Sequence, residues 1–553
     1  MKEHDSVLEP ASGPASTPLT GPVRPAHHGS TALERIAALA GTSYSGDVVV
    51  HGVSLDSRTI RPGDLYIALP GAHAHGAQFA PAAVAAGAVA VLTDDAGAGL
   101  LADAATVPVL RCEDPRGATG AVAALVYGTA GIGMPLFAVT GTNGKTTTTY
   151  FLNSLLRALG KTTGLIGTIE ILAGEEPIPS KLTTPESTDV HALLAVMAER
   201  GLDAASMEVS SHALAFGRVD SVVFDVAGFT NLTQDHLDLH GGMDGYFSTK
   251  AQLFTPARAR AAVITVDDDW GVKMAAASTV PTRTLSTHQA PSGGAPADWQ
   301  VSAIRRDGVG SRFELHGPDG AALRVHTGLP GDFNVSNAAL ALVMVATALL
   351  AAAGEPDARG QALAALQDAL DAHDPFTLDV PGRMQLVGTA PVAIVDFAHN
   401  PDALQRALDA VRSPEPGSRV IVVFGATGER DVTKRPIMGA IAAQGADVVI
   451  VTDDDPHDED PAAIRAGVLA GAEAANTGQA LGRVIEEFDH RADAIRRAVA
   501  LAGPADTILV AGRGHEVYQE VKGVNIALDD RVELRAALAH HGFPVASASR
   551  IES

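Results

Sequence analysis

Cysteine is nearly absent from this chain: Cys112 is the one cysteine among 553 residues. No disulfide can form within the chain, which fits a reducing, cytoplasmic setting. Basic residues are in deficit, with 40 Lys and Arg against 64 Asp and Glu and a formal net charge of −24. That balance argues against a nucleic-acid or anionic-membrane surface. It also requires that any phosphorylated substrate be held by local positive groups. The apolar core of a signal peptide is missing too. Residues 1–30 are rich in Pro, Ser, Ala and Gly and read as a disordered tail. No apolar run is long and uncharged enough for a membrane span. The Ala-rich stretch 338–353 falls short of the roughly 20 residues needed and reads as a buried helix.

What is present is ordinary for a globular protein with ample core: 46% hydrophobic and 19% charged residues. The length predicts two to four domains. The most informative stretch is 135–159. An apolar run, 136–139, is short enough for a buried strand. Gly141-Thr142-Asn143-Gly144-Lys145-Thr146-Thr147 follows. Then Phe151, Leu152, Leu155, Leu156 and Leu159 recur at helical spacing. Strand, Gly-rich turn, Lys-Thr and helix read as a phosphate-binding loop. Backbone N–H groups and the positive end of the helix would cradle the anion. Lys145 would reach the β/γ-phosphates and the Thr146 hydroxyl would hold Mg²⁺. The common form of this loop has a glycine where this chain has Val139.

Three α/β units are expected. Residues 31–130 form a small first unit with strands near 48–53, 65–69 and 88–92 and a helix over 81–87. A structural role is its default reading. Residues 131–379 carry the phosphate loop, with strands at 204–209, 222–229 and 262–266 in a parallel sheet wrapped by helices. The Pro/Ser/Gly/Thr-rich stretch 278–297 reads as a surface loop. Residues 380–553 contain strands at 392–397, 419–424, 447–452 and 507–511, spaced for a second doubly wound sheet. No internal repeat is found.

Polar clusters sit at the expected strand ends, where open α/β sheets bind ligands. Thr183-Thr184-Pro185-Glu186 is one. Glu208-Val209-Ser210-Ser211-His212 is another, running on to Arg218. Glu208 is placed to face the phosphate loop and hold Mg²⁺; an equally good reading makes this an N-cap, with Ser210 or Ser211 satisfying the next helix. The stretch 231–240 packs Asp235, His236, Asp238 and His240 together, which suggests hard-ligand metal binding, Mg²⁺ or Mn²⁺ rather than zinc. Lys250 lies between apolar residues at helical spacing, ordinarily a lysine lying along a helix edge. The last unit supplies the runs 396–402, 428–431, 453–457 and 512–516. Arg430 is a natural carboxylate clamp there.

Taken together, TGTNGKTTT, TTPE, EVSSHAL, NLTQDHLDLHG, YFSTKAQLF, GDFNVSN, DFAHNPDAL, GERDVTKRP and AGRGHE resemble the Mur ligase family. They are similar in particular to the branch that adds the third residue of the peptidoglycan stem. The resemblance spans about residues 45–535, in order, and accounts for Val139. It implies a three-domain α/β architecture: a central P-loop ATPase-type parallel sheet (131–379), a UDP-muramoyl-binding first domain (31–130) and a Rossmann-like, amino-acid-binding last domain (380–553). It implies ATP as co-substrate, Mg²⁺, UDP-N-acetylmuramoyl-L-alanyl-D-glutamate and a diamino acid as partners, no nucleic acid, no membrane insertion, and a monomer. In that reaction the D-glutamate side-chain carboxylate becomes an acyl phosphate, and the acceptor's α-amine displaces phosphate.

The resemblance also implies roles. Lys145 would stabilise the migrating phosphoryl group. Thr146 and Glu208 would hold one Mg²⁺ and His236 a second. Lys250 would carry CO₂ as N6-carboxylysine, an anion able to bind Mg²⁺. Asn334, Asn337, His399 and Asn400 would line the nucleotide pocket. Leu55, Ser57, the loop around His73, Thr183, Thr184, Ser210 and Arg218 would hold the UDP-muramoyl dipeptide. Arg430, Asp454, Asp455, His457, Gly512 and Glu516 would hold the amino acid. One departure bears on substrate choice. Members adding meso-diaminopimelate read Asp-Asn-Pro-Arg where this chain reads Asp454-Asp455-Pro456-His457. An extra carboxylate and a missing arginine favour a distal ammonium, hence L-lysine or L-ornithine. The alternative, meso-2,6-diaminopimelate, requires another basic residue such as Arg513. Phe216, where some members place a glutamine, is a second departure. Rival readings are a folate polyglutamate ligase, disfavoured by the first domain and the 454–457 run, and a silent homologue that only binds nucleotide or UDP-sugar, disfavoured by Lys145, Glu208, His236 and Lys250 together.

Overall fold

The computed structural model describes residues 23–26, 29–71, 73–101, 106–178, 182–235, 240–287, 296–413 and 415–546. Short runs of Val, Ile, Leu and Ala make its strands. Leu136–Thr140, Ala204–Glu208, Val420–Phe424 and Thr507–Ala511 are buried at every position, as expected where helices cover both faces of a parallel sheet.

Three sheets dominate. The first has four parallel strands in the order Gly52–Ser54, Asp64–Ala68, Ala90–Thr93, Val109–Arg111. The second has eleven strands. At its centre Leu136–Thr140 lies between Ala204–Glu208 on one side and Phe224–Phe229 on the other, all parallel. The chain thus leaves this strand at a point where the sheet continues in both directions, the place where such sheets bind ligands. The third has six strands: Gln385–Thr389 antiparallel at one edge, then Val392–Asp396, Thr507–Ala511, Val420–Phe424, Val448–Val451 and Val484–Glu487 in parallel.

The stretch 278–297, expected as loop, is corrected in part. Thr282–Ser286 is a strand paired in parallel with Ala259–Thr265, and Leu285 and Ser286 are buried. Threonines at 282 and 284 suit a pleated strand, a signal the turn-rich composition around them conceals. An antiparallel extension follows, Trp299–Asp307, Gly310–His316 and Ala322–Thr327.

The Ala-rich stretch forms all but the first six residues of helix Asp332–Ala353. It passes a length and hydropathy test for crossing a membrane, but 61% of that window is buried inside the protein. It packs on helix Lys145–Ala158, whose Phe151, Leu152, Leu155 and Leu156 are buried. Each such side chain contributes about 1.5–3 kcal/mol by leaving water, so the phosphate-loop helix is anchored by its apolar face.

Within the expected tail, the Arg24 side chain and Pro25 are buried and Val23 packs on the central core. Arg24 Nη1 meets Asp64 Oδ1 at 2.5 Å, with side chains only 4% and 2% exposed. Gly52 leaves the room: a Cβ there would lie 2.0 Å from Arg24 Nη1. Ala26 N–H donates to Glu199 Oε2 at 2.8 Å, on helix Ser187–Glu199 of the central unit. Residues 23–26 therefore tie the first sheet to the central one. Removing one partner of a buried pair strands the other charge, at a cost of about 3–5 kcal/mol. Arg24→Ala should lower the melting temperature by several degrees in calorimetry. An unchanged melting curve would mean that the strap carries no stability.

Candidate functional site

The phosphate loop is built by backbone that side chains would obstruct. Gly141 has φ +148° and Gly144 φ +88°. A Cβ at Gly141 would lie 1.9 Å from Thr230 Oγ1, and one at Gly144 would lie 2.3 Å from Asn337 Oδ1. Asn143 N–H donates to Asn231 Oδ1 at 3.0 Å, and Thr142 Oγ1 lies 3.3 Å from the Tyr246 hydroxyl. Helix Lys145–Ala158 begins directly after this turn.

Lys145 folds back on its own loop, donating to the carbonyls of Gly141 at 3.0 Å and Thr142 at 2.8 Å. Burial pulls its pKa down, against the pull of Glu208 and Asp235. Glu208 is fully buried at the end of its strand. It accepts from Thr146 Oγ1 at 3.0 Å, from Thr168 N at 2.8 Å and from Thr168 Oγ1 at 3.0 Å. Its side chain faces the loop, as expected. The helix-capping reading holds as well: Ser210 Oγ accepts from Ala213 N at 3.1 Å. A hydroxyl beside a carboxylate is an all-oxygen donor pair, the chemistry Mg²⁺ takes. His236 lies outside the described residues. Among those described, no three His, Cys, Asp or Glu gather closely enough to hold a metal ion.

Lys250 does not lie along an exposed helix edge. It is 1% exposed at the end of helix Met243–Ala251. Its Nζ donates to Gly141 O at 2.8 Å and sits 4.6 Å from the centre of the Tyr246 ring. Burial, with Lys145 adding repulsion, holds its pKa well below the ordinary lysine value. The amine is therefore inclined to be neutral, and a neutral amine is the form that adds CO₂.

The third sheet turns its strand ends toward this loop. Asn400 Nδ2 donates to Asn143 Oδ1 at 3.2 Å, and Asn143 Nδ2 to Asp402 Oδ2 at 3.0 Å. Asn400 also caps helix Pro401–Val411. Asn337 Nδ2 donates to Asn334 Oδ1 at 3.0 Å and Asn337 Oδ1 accepts from Thr148 Oγ1 at 3.4 Å. His399 holds Phe397 O through Nδ1 at 2.8 Å, and burial lowers its pKa.

Arg383 was not singled out from sequence. Its Nη2 donates to Thr146 Oγ1 at 3.2 Å, its guanidinium lies 4.1 Å from the centre of the Phe397 ring, and its buried Nε–H has no partner among the described residues. An arginine with a spare buried donor at a phosphate loop is a ready anion clamp. Its only local signal is Pro381-Gly382-Arg383; the partner is 237 residues away.

The four polar runs of the last unit all follow parallel strands of one sheet. Asp454 is buried. Burial alone would raise its pKa, but Arg491 and Arg513 outweigh it and hold the carboxylate low. Glu516 goes the other way: burial, then Asp454, push it up to about 8. Gly512 has φ +113°, and a Cβ there would approach Asp454 Oδ2 to 2.7 Å. Arg430 is exposed on the loop after Val420–Phe424.

The charge reasoning at 454–457 needs correction. Asp455 does not stand free to attract an ammonium. It is ion-paired with fully buried Arg513 and accepts Glu520 N–H at 3.1 Å. By the same pair Arg513 Nη1 is engaged, while its buried Nε–H has no partner among the described residues. His457 Nδ1 is 2.9 Å from Glu520 Oε2.

In the expected muramoyl-dipeptide group, Thr184 Oγ1 donates to Glu208 O at 2.8 Å and Thr183 Oγ1 lies 3.1 Å from Thr168 Oγ1, so both lie beside the phosphate loop. Arg218 is held by Glu186 at 2.9 Å, which also takes Arg116 of the first unit at 2.7 Å. Leu55 and Ser57 are half-buried just past strand Gly52–Ser54, and His73 is exposed.

Two nucleotide-type sheets converge on one phosphate loop with a buried lysine at its mouth, the layout of an ATP-dependent ligase that joins an acid to an amino acid. Three family profiles match in chain order: "Mur ligase family, catalytic domain" over residues 49–127, "Mur ligase middle domain" over 139–345 and "Mur ligase, glutamate ligase domain" over 382–514. A UDP-N-acetylmuramoyl-L-alanyl-D-glutamate--2,6-diaminopimelate ligase of Streptomyces coelicolor is 45% identical over 94% of this chain and 98% of its own. A UDP-N-acetylmuramyl-tripeptide synthetase of Leifsonia xyli subsp. xyli is 45% identical over 95% of this chain and 100% of its own. A solved UDP-N-acetylmuramoyl-L-alanyl-D-glutamate--2,6-diaminopimelate ligase aligns with TM-score 0.58 and 31% identity, covering 89% of this chain and 95% of that one. The chain belongs to the Mur ligase family.

Proposed function

We propose that this protein uses ATP to join a diamino acid to the D-glutamyl side-chain carboxylate of UDP-N-acetylmuramoyl-L-alanyl-D-glutamate, with 2,6-diaminopimelate as the acceptor. The observation that carries the reaction is the meeting of Glu208 and Arg383 with Thr146 at the loop that holds Lys145, with Lys250 buried beside it. For the acceptor, the relatives' names favour diaminopimelate over lysine or ornithine. The main argument for a purely cationic distal end also falls away once Asp455 is neutralised by Arg513.

A carboxylate is a poor electrophile, so it must first be activated. Its oxygen attacks the γ-phosphorus of ATP, ADP leaves, and an acyl phosphate forms. The acceptor's α-amine attacks the acyl carbon, loses a proton, and phosphate departs from the tetrahedral intermediate. Such transfers depend on positioning and charge neutralisation. Residues 141–147 cradle the phosphates, with Asn334, Asn337, His399 and Asn400 around the nucleotide. Lys145 and Arg383 meet the charge growing on the γ-phosphoryl oxygens. Thr146 and Glu208 would hold Mg²⁺, which supplies further neutralisation of phosphate charge; His236 is proposed as a ligand to a second ion. Lys250, as its carbamate, places two oxygens where the ammonium would repel a cation. Leu55, Ser57, His73, Thr183, Thr184, Ser210 and Arg218 are assigned to the UDP-muramoyl dipeptide, and Arg430, Asp454, Gly512 and Glu516 to the acceptor's amino-acid end. The setting is the cytoplasm, where nucleotide-linked cell-wall precursors are made.

Phosphate release from ATP in the presence of Mg²⁺ and UDP-N-acetylmuramoyl-L-alanyl-D-glutamate tests the acceptor. Diaminopimelate should give the highest kcat/KM among diaminopimelate, L-lysine and L-ornithine. A lysine or ornithine preference would restore the second reading, which the missing arginine at His457 favours. Release with none of the three would return the protein to a silent binder.

A further inference from the structure

Glu186 stands at the N-cap of helix Ser187–Glu199, yet its side chain caps no N–H of that helix. Both carboxylate oxygens reach outward instead, and to different units. Oε1 accepts from Arg218 Nε at 2.9 Å, and Oε2 accepts from Arg116 Nη1 at 2.7 Å. Arg116 lies in the first turn of helix Pro115–Tyr127 of the first unit, a turn with no acidic residue. A cation there opposes the helix dipole, and Glu186 supplies the opposite charge from across the junction. Arg218 belongs to the central unit. It follows helix Ser211–Ala215 through Gly217, whose φ of +65° turns the chain back so that Arg218 N–H donates to Ala213 O at 2.8 Å.

The Arg218 guanidinium is held on three sides. Glu186 takes Nε, the Thr184 carbonyl takes Nη1 at 3.4 Å, and the centre of the Phe216 ring lies 5.8 Å away, within reach of a cation–π contact. Nη2 makes no hydrogen bond among the described residues. Thr184 in turn donates to Glu208 O beside the phosphate loop. The side chains of Arg218, Glu186 and Arg116 are 16%, 25% and 40% exposed, so the set runs from the site outward to the rim of the first unit. Two arginines on one carboxylate leave a local positive charge in a chain whose net charge is −24, as an anionic substrate requires.

We propose that Glu186 is a positioning residue: it fixes the Arg218 guanidinium so that Nη2 meets a carboxylate of the bound dipeptide, and through Arg116 it ties that placement to the seating of the first unit. This rests on the assignment of Arg218 to the UDP-muramoyl dipeptide above. The departure at Phe216 gains a role on the same grounds. A phenyl ring offers no hydrogen bond to a sugar, but it presents a face to the guanidinium.

The test is steady-state kinetics of the full chain with MgATP and saturating diaminopimelate, varying UDP-N-acetylmuramoyl-L-alanyl-D-glutamate. Glu186→Gln should raise KM for that substrate about tenfold, as for a lost hydrogen bond between charged groups, with kcat and KM for ATP within about twofold. Arg218→Ala should raise it at least as far. On the Arg218→Ala background, Glu186→Gln should add less than about twofold, because a residue that acts through another loses its effect once the other is gone. Arg116→Ala should raise the same KM about two- to threefold, the scale of a half-exposed pair. Three results overturn the proposal: an unchanged KM in Glu186→Gln, a full tenfold rise on the Arg218→Ala background, or a KM for ATP that rises in step, which marks a merely structural role. An unchanged KM in Arg116→Ala overturns the link to the first unit. An unchanged KM in Arg218→Ala is a separate result: it removes the assignment of Arg218 to the dipeptide.

Discussion

Arg383→Ala should lower kcat by about 100- to 1,000-fold, the loss typical of removing one preorganised donor from a developing anion. KM for the UDP-linked substrate should hold. The expectation comes from position. The guanidinium reaches from the start of the third sheet to Thr146 Oγ1, and its buried Nε–H has no partner among the described residues. Burial disfavours its charge, and Glu208, Asp396 and Glu516 oppose that only in part. Arg383→Lys should recover only part of the rate, because a point charge cannot make the paired contacts of a planar fork. Single-turnover measurement of ADP formation is the check. A variant with near-normal kcat would place Arg383 in domain packing alone.

Lys250→Ala should be the second severe loss, again about 100-fold or more on kcat, the scale of one lost electrostatic contact. Small carboxylic acids should restore part of the activity by placing two oxygens in the vacated space. A buried ammonium 2.8 Å from Gly141 O and close to Lys145 would oppose Mg²⁺. A neutral amine that adds CO₂ becomes an anion and does the reverse. The same chemistry predicts a mass increase of one CO₂ on native protein kept in bicarbonate, lost on acidification. Unchanged turnover in Lys250→Ala would remove the carbamate from the mechanism.

How far the sequence led can be judged from particular residues. The phosphate loop was legible because strand, glycines, Lys-Thr and helix are contiguous. Glu208 was legible because it ends an apolar run. The four polar strand ends of the last unit were legible for the same reason, and all four follow parallel strands of one sheet. Pairings across long separations were not. Asp455 read as a free negative charge because its neutraliser, Arg513, is 58 residues distant. Arg383 follows only a Pro-Gly turn signal, and its partner Thr146 is 237 residues away in the phosphate-loop helix. Arg24 sat in a Pro- and Ser-rich segment whose composition says nothing of the Asp64 carboxylate waiting behind Gly52. Local pattern reports elements; it does not report which charges meet.

The most direct test of the account follows oxygen. UDP-N-acetylmuramoyl-L-alanyl-D-glutamate labelled with ¹⁸O in the D-glutamyl side-chain carboxylate is turned over with ATP and diaminopimelate, and the released phosphate is weighed by mass spectrometry. If the carboxylate is activated as an acyl phosphate, each phosphate carries one ¹⁸O from the substrate. Product formation with unlabelled phosphate would contradict the acyl-phosphate route and with it the roles given to Lys145 and Arg383.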